Sequence, residues 1–168
     1  MRMAGAALVA SMLFFAGSYA AHRLVKRTQL LGEVCTMITL VRTQLEFCCR
    51  PVDSIVGILA SSPEIEGLLF IPVCCELLGT LPFPDAWKES LAHRQNTSYL
   101  SRSDVDKLVC FGSSLGTTAL DGQLANCDMY SADFAVRLSE AREQCAKYSK
   151  ILPSLGALAG AAVVIAAI

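Results

Sequence analysis

Two long stretches without a charged side chain, 3–21 and 151–168, stand at the ends of this chain and constrain what it can become. At a helical rise of about 1.5 Å per residue each reaches roughly 27–28 Å, close to the hydrocarbon thickness of a bilayer. The sequence therefore predicts a transmembrane helix over 1–21, a helical domain over 22–150 and a second transmembrane helix over 151–168. The chain as a whole is 54% hydrophobic and 17% charged, yet nearly all of its Asp, Glu, Lys and Arg lie between the two stretches. That segregation separates two membrane segments around a polar domain from one uniformly apolar globule. A net charge of −1 gives no reason to expect a nucleic-acid partner.

The first stretch has two readings. Ser18-Tyr19-Ala20 has the small-x-small pattern of a signal-peptide cleavage site, whereas the single basic residue Arg2 ahead of it and its length favour an uncleaved anchor. The anchor is the main reading; the alternative is a secreted or anchored, disulfide-stabilised helical protein. Arg23, Lys26 and Arg27 follow the first stretch, and Arg142, Lys147 and Lys150 precede the second. Basic residues favour the cytoplasmic side, so both ends place the middle domain there, in the cell membrane with both termini across it. Gly156 and Gly160, four apart, form a small-x-x-x-small pattern suited to transmembrane helix packing.

The middle reads as helix throughout, an all-α antiparallel bundle of about six soluble helices. Leu24, Leu31, Val34, Ile38, Val41, Leu45 and Cys48 keep a three–four spacing broken only at Arg27. The first soluble helix should therefore run on from the first span. A second seam, Leu124, Cys127, Ser131, Phe134, Leu138, Ala141, Cys145, Tyr148 and Leu152, predicts a long last helix entering the second span. Asp133 with Arg137 and Glu143 with Lys147 are i,i+4 pairs expected on its outer side. Between the seams, Pro51, Ser62-Pro63-Glu64, Asp85, Ser101 with Asp104 and Thr118 with Asp121 read as helix starts.

No enzyme is expected. Eight cysteines include no Cys-x-x-Cys, and with only His22 and His93 no zinc spacing can be assembled. Cys48, Cys127 and Cys145 fall on the apolar seams, where a reduced thiol acts as a small hydrophobe. Gly112-Ser113-Ser114-Leu115-Gly116 has the pattern of a nucleophile elbow, but that motif needs a preceding strand and a later His, and both histidines come earlier. The same glycines lack the Lys of a phosphate loop. Catalytic, cofactor and metal sites are thus all predicted to be none, and no small-molecule substrate is expected.

The order of features resembles the stage III sporulation protein AB family over nearly the whole chain. The resemblance rests on Phe111-Gly112-x-x-Leu115-Gly116 followed by Gln123, on Pro51 after the first long helix, on the helix led by Trp87, and on 150–156 running into an aliphatic tail with Gly160. Two positions depart: Ala119 stands where that family often has Asp, and Gln44 where it often has an acid, with Glu46 nearby. The resemblance implies a non-enzymatic membrane scaffold in the channel machinery between mother cell and forespore, its helical domain similar to the platform protein of type II secretion and type IV pilus systems. It also implies partners: a hexameric ATPase and other membrane proteins of the channel.

Overall fold

A computed structural model describes residues 2–48, 51–93 and 95–149, with 151, 154, 155, 158, 159 and 162; side chains at 2–10, 13 and 14 fall outside that description. The helices are α1 (Arg2–Cys48), α2 (Val52–Ala60), α3 (Phe70–Leu77), α4 (Phe83–Ala92), α5 (Arg102–Ser114) and α6 (Leu120–Tyr148), with a 3-10 turn at Pro63–Ile65. Among the described residues the chain is all-helical, with six α-helices and no strand. It divides into two compact units, residues 30–138 and residues 1–29 with 139–168.

In the first unit the two predicted seams form the core. Leu31, Val34, Ile38, Val41 and Leu45 of α1 are buried, as are Cys127, Phe134 and Leu138 of α6. The shorter helices each contribute one apolar stripe: Ile55, Val56 and Leu59 from α2, Phe70, Ile71 and Cys74 from α3, Leu108 and Phe111 from α5. At the seam's end the prediction overreaches, because Cys48 is exposed where α1 stops ahead of Pro51. Arg42 of α1 donates to Asp128 of α6 at 2.7 Å and also pairs with Glu46.

Helix starts follow local chemistry with some corrections. Pro51 sits at φ −62° and ψ 147°, and its carbonyl takes the first N–H bonds of α2 from Ser54 and Ile55. Ser62-Pro63-Glu64 opens only the 3-10 turn, since the Ser62 hydroxyl donates back to the Ile58 carbonyl instead of capping forward. Asp85 does not cap α4; it lies in the first turn, where its charge complements the helix dipole, and Pro82 precedes the helix. Ser101 and Asp104 form the predicted reciprocal capping box of α5. Helix α6 begins at Leu120, and the Gln123 N–H donates to the Ala119 carbonyl at 3.1 Å.

In the second unit, the Thr28 hydroxyl shares its proton between the Leu24 carbonyl at 2.9 Å and, across the two chain segments, the Ala141 carbonyl at 3.2 Å. Leu24 lines a shallow groove with Glu140, Glu143, Gln144, Lys147 and Tyr148. Among the described residues no helix is long and apolar enough to cross a membrane. The predicted spans at 1–21 and 151–168 are therefore not supported there. The first stretch continues without a break into the charged part of α1, and most of the second, with Gly156 and Gly160, lies outside the described residues.

Candidate functional site

The residues that the sequence marks as motif positions converge on two joints of the 30–138 unit. At the first, Trp87 of α4 is 1% exposed, and its indole N–H donates to the Leu108 carbonyl of α5 at 2.8 Å. One turn on from Leu108 stands Gly112, and a Cβ there would overlap Cγ, Cδ1 and Nε1 of the Trp87 ring. Glycine at 112 thus makes the notch into which the indole fits, and the hydrogen bond satisfies a buried donor. Phe70, Phe83 and Phe111 pack on the same ring at centroid distances of 5.3, 5.6 and 6.3 Å. Phe111 in turn meets Tyr130 of α6 at 5.3 Å. The aromatic line therefore ties α3, α4, α5 and α6 together.

The second joint is the turn between α5 and α6. Gly116 has φ +76°, a left-handed conformation that costs an L-residue about 1–2 kcal/mol. Its N–H donates to the Gln123 side-chain carbonyl at 3.1 Å, while the Gln123 amide donates to the Thr118 carbonyl at 3.0 Å. Gln123 thereby staples the turn across its mouth. Leu115 is buried beneath it, and a Cβ at Gly116 would lie 3.5 Å from Val52, the residue after Pro51. Pro51, Gly116 and Gln123 consequently share one corner. Of the departing positions, Ala119 supplies only its carbonyl to α6, and Asp121 still places an acid in that helix's first turn.

One contact is not visible in the spacing of either helix alone: Asp104, besides its part in the capping box, is fully buried and accepts from Arg137 at 3.0 Å. Arg137 also bonds Asp133 at 3.1 Å and the Ser103 hydroxyl at 3.1 Å, so one guanidinium fastens the start of α5 to α6. Burial works to lower the Arg137 pKa, and the bonds and charges of Asp104 and Asp133 outweigh it, holding it above the ordinary value. An acid three residues after a cap serine, with an arginine on the helix to follow, was the available signal.

This geometry orients helices. Ser113 and Ser114 lie within α5, and their hydroxyls donate to the Val109 and Phe111 carbonyls, so the strand-to-helix elbow is not formed. Among the described residues no group of His, Cys, Asp and Glu could hold a metal ion. The family described as stage III sporulation protein AB matches residues 2–168. The chain belongs to that family. No curated protein and no solved structure matches it. As a member of the stage III sporulation protein AB family it is a sporulation protein, and the family's match takes in both joints.

The cysteines of this family member divide by environment. Cys48 and Cys110 are exposed, and Cys74 and Cys127 are buried. Burial pushes the Cys74 and Cys127 thiols up to about 11. At neutral pH both stay protonated and inert, because the thiolate is the reactive form. A maleimide should label Cys48 and Cys110 in the native protein, and Cys74 and Cys127 only after unfolding, as read by peptide mass spectrometry. Rapid native labelling of Cys127 would contradict the α6 packing. Because folding raises these two pKa values above their unfolded value, the stability they carry is full below pH 9 and is lost as pH rises toward 11.

Proposed function

We propose that the chain is a non-enzymatic platform in the membrane that faces the forespore, with its helical unit in the mother-cell cytoplasm docking a hexameric ATPase of the sporulation channel. The observation that carries the membrane part is the distribution of exposed apolar side chains. Met12, Phe15 and Tyr19 are 75%, 68% and 62% exposed, and Leu155 and Leu158 are 56% and 67% exposed. All five belong to the unit built from the chain ends, which has fewer residues than the other unit, where Phe47, Met129 and Val136 are also bare. Apolar surface left bare at that density calls for lipid or a partner, and the flanking apolar stretches have the length of a bilayer core. On this reading both apolar stretches span the membrane, and the basic residues beside them keep the bundle cytoplasmic.

The scaffold role is supported by what Trp87, Gly112, Gly116, Gln123 and Arg137 do: each fixes one helix against another. A protein organised this way transmits position along α6, and an associated ATPase would supply the energy. The experiment is purification from sporulating cells in mild detergent, with co-purifying proteins identified by mass spectrometry. Recovery of a hexameric ATPase together with other channel membrane proteins is expected. Recovery of the chain alone, across several mild detergents and after crosslinking, would remove the platform reading.

A further inference from the structure

We infer that the unit formed by the chain ends carries a collar for anionic phospholipid headgroups, an inference that rests on the membrane placement proposed above. Arg23, Lys26 and Arg27 lie on α1, and Arg142 and Lys147 on α6. The Thr28–Ala141 hydrogen bond and the groove that Leu24 shares with Lys147 and Tyr148 set the two segments side by side, so the stretches that carry the five basic residues lie at one height of this unit. Among the described residues of these two segments, 22–29 and 139–149, the acids are Glu140 and Glu143, a formal balance of five basic residues to two acidic ones.

What lies next to the collar identifies the ligand class. Lys147 sits 5.3 Å from the centre of the Tyr148 ring, and Tyr148 and Tyr19 are both exposed. Tyrosines at an edge between charge and bare apolar surface match the interfacial zone of a bilayer, where an amphipathic ring is half in lipid and half in water. Beyond that edge come the exposed Phe15, Met12 and Leu155. A phosphate on a lipid can meet the collar while its acyl chains cover those side chains. A soluble phosphate would leave them bare. The collar therefore fits phosphatidylglycerol or cardiolipin, which place negative charge at this depth, better than zwitterionic lipid.

The test uses the full chain, purified in detergent and delipidated, then titrated with phosphatidylglycerol or phosphatidylcholine and read by native mass spectrometry. Phosphatidylglycerol should be retained about tenfold or more over phosphatidylcholine, with the preference falling as salt is raised. The variant carrying Arg23→Gln, Lys26→Gln, Arg27→Gln, Arg142→Gln and Lys147→Gln should lose the preference while keeping its helical circular dichroism. Equal retention of the two lipids by the unaltered chain, or a preference indifferent to both salt and the five substitutions, would overturn the inference. Inorganic phosphate that competes as well as the lipid would show an anion site without lipid and overturn it too. Failure of the membrane placement is separable: the chain would then fractionate into the aqueous phase of sporulating-cell lysates whatever its lipid preference in detergent.

Discussion

Gly112→Ala should lower the melting temperature of the helical unit by about 10 °C, a loss of about 3 kcal/mol. The added methyl has nowhere to go, because it would overlap the indole at Cγ, Cδ1 and Nε1. The ring is held from the other sides by Phe70, Phe83 and Phe111, so it can yield only by moving outward. Outward movement also breaks the bond to the Leu108 carbonyl and leaves the buried indole N–H unpaired, at about 1–3 kcal/mol. Trp87 is the single tryptophan of the chain, so its fluorescence reports the event directly. Emission should shift to longer wavelength in the variant. In a Trp87→Phe background the same glycine change should cost much less, a non-additivity that a double-mutant cycle measures. Unchanged emission and melting in Gly112→Ala would show that the notch does not exist.

Arg137→Met should destabilise the same unit by about 3–5 kcal/mol, because it strands a buried carboxylate. Asp104 is fully buried, and its oxygens are committed to the Ser101 N–H and to Arg137. Methionine keeps the length of the side chain and removes only the charge and the donors, so lost packing contributes little. The exposed pair between Arg42 and Asp128 provides the contrast. It is closer, at 2.7 Å, yet solvent screens it, and Arg42→Met should be close to neutral. Combining Arg137→Met with Asp104→Asn should recover part of the loss, since no bare charge then remains inside. Urea titrations followed by circular dichroism measure all three. An Arg137→Met midpoint equal to that of Arg42→Met would mean that the guanidinium is not anchoring α5 to α6.

The two long helices were legible in the sequence because a three–four apolar spacing over many turns admits few other solutions. Leu31, Val34, Ile38, Val41 and Leu45, and Cys127, Phe134 and Leu138, are buried as that spacing requires, with Ser131 half-buried. Its ends were less well determined: Cys48 and Tyr148 continue the pattern but are exposed at the last turns of α1 and α6. Spacing along one helix carries no information about how far its partner extends. The capping box at Ser101 and Asp104 was readable because both partners lie within one turn. The second bond of Asp104, to a residue 33 positions later, was not.

Trp87 and Gly112 illustrate the same limit more sharply. Each stood out as a motif residue, yet that the glycine exists to admit the tryptophan emerges only when α4 and α5 are laid together. Gly116 and Gln123 are seven apart and could have been paired from the sequence, had a left-handed glycine followed by a glutamine in the next helix's first turn been taken as a stapled turn. The Ser62-Pro63-Glu64 start failed for a local reason. A serine preceding proline resembles an N-cap, but its hydroxyl was already engaged with the end of the preceding helix.

The proposed placement fixes this member of the stage III sporulation protein AB family in the membrane with its helical unit on the cytoplasmic side. Cys48 and Cys110, both exposed on that unit, make the most direct test possible with native side chains. Sporulating cells are treated with a membrane-impermeant maleimide before and after permeabilisation of the mother-cell membrane. Labelling is then read on the chain recovered from the membrane fraction. Both cysteines should stay unlabelled in intact cells and react once the membrane is opened. Labelling of Cys48 and Cys110 in intact cells, or recovery of the chain from the soluble fraction, would contradict it.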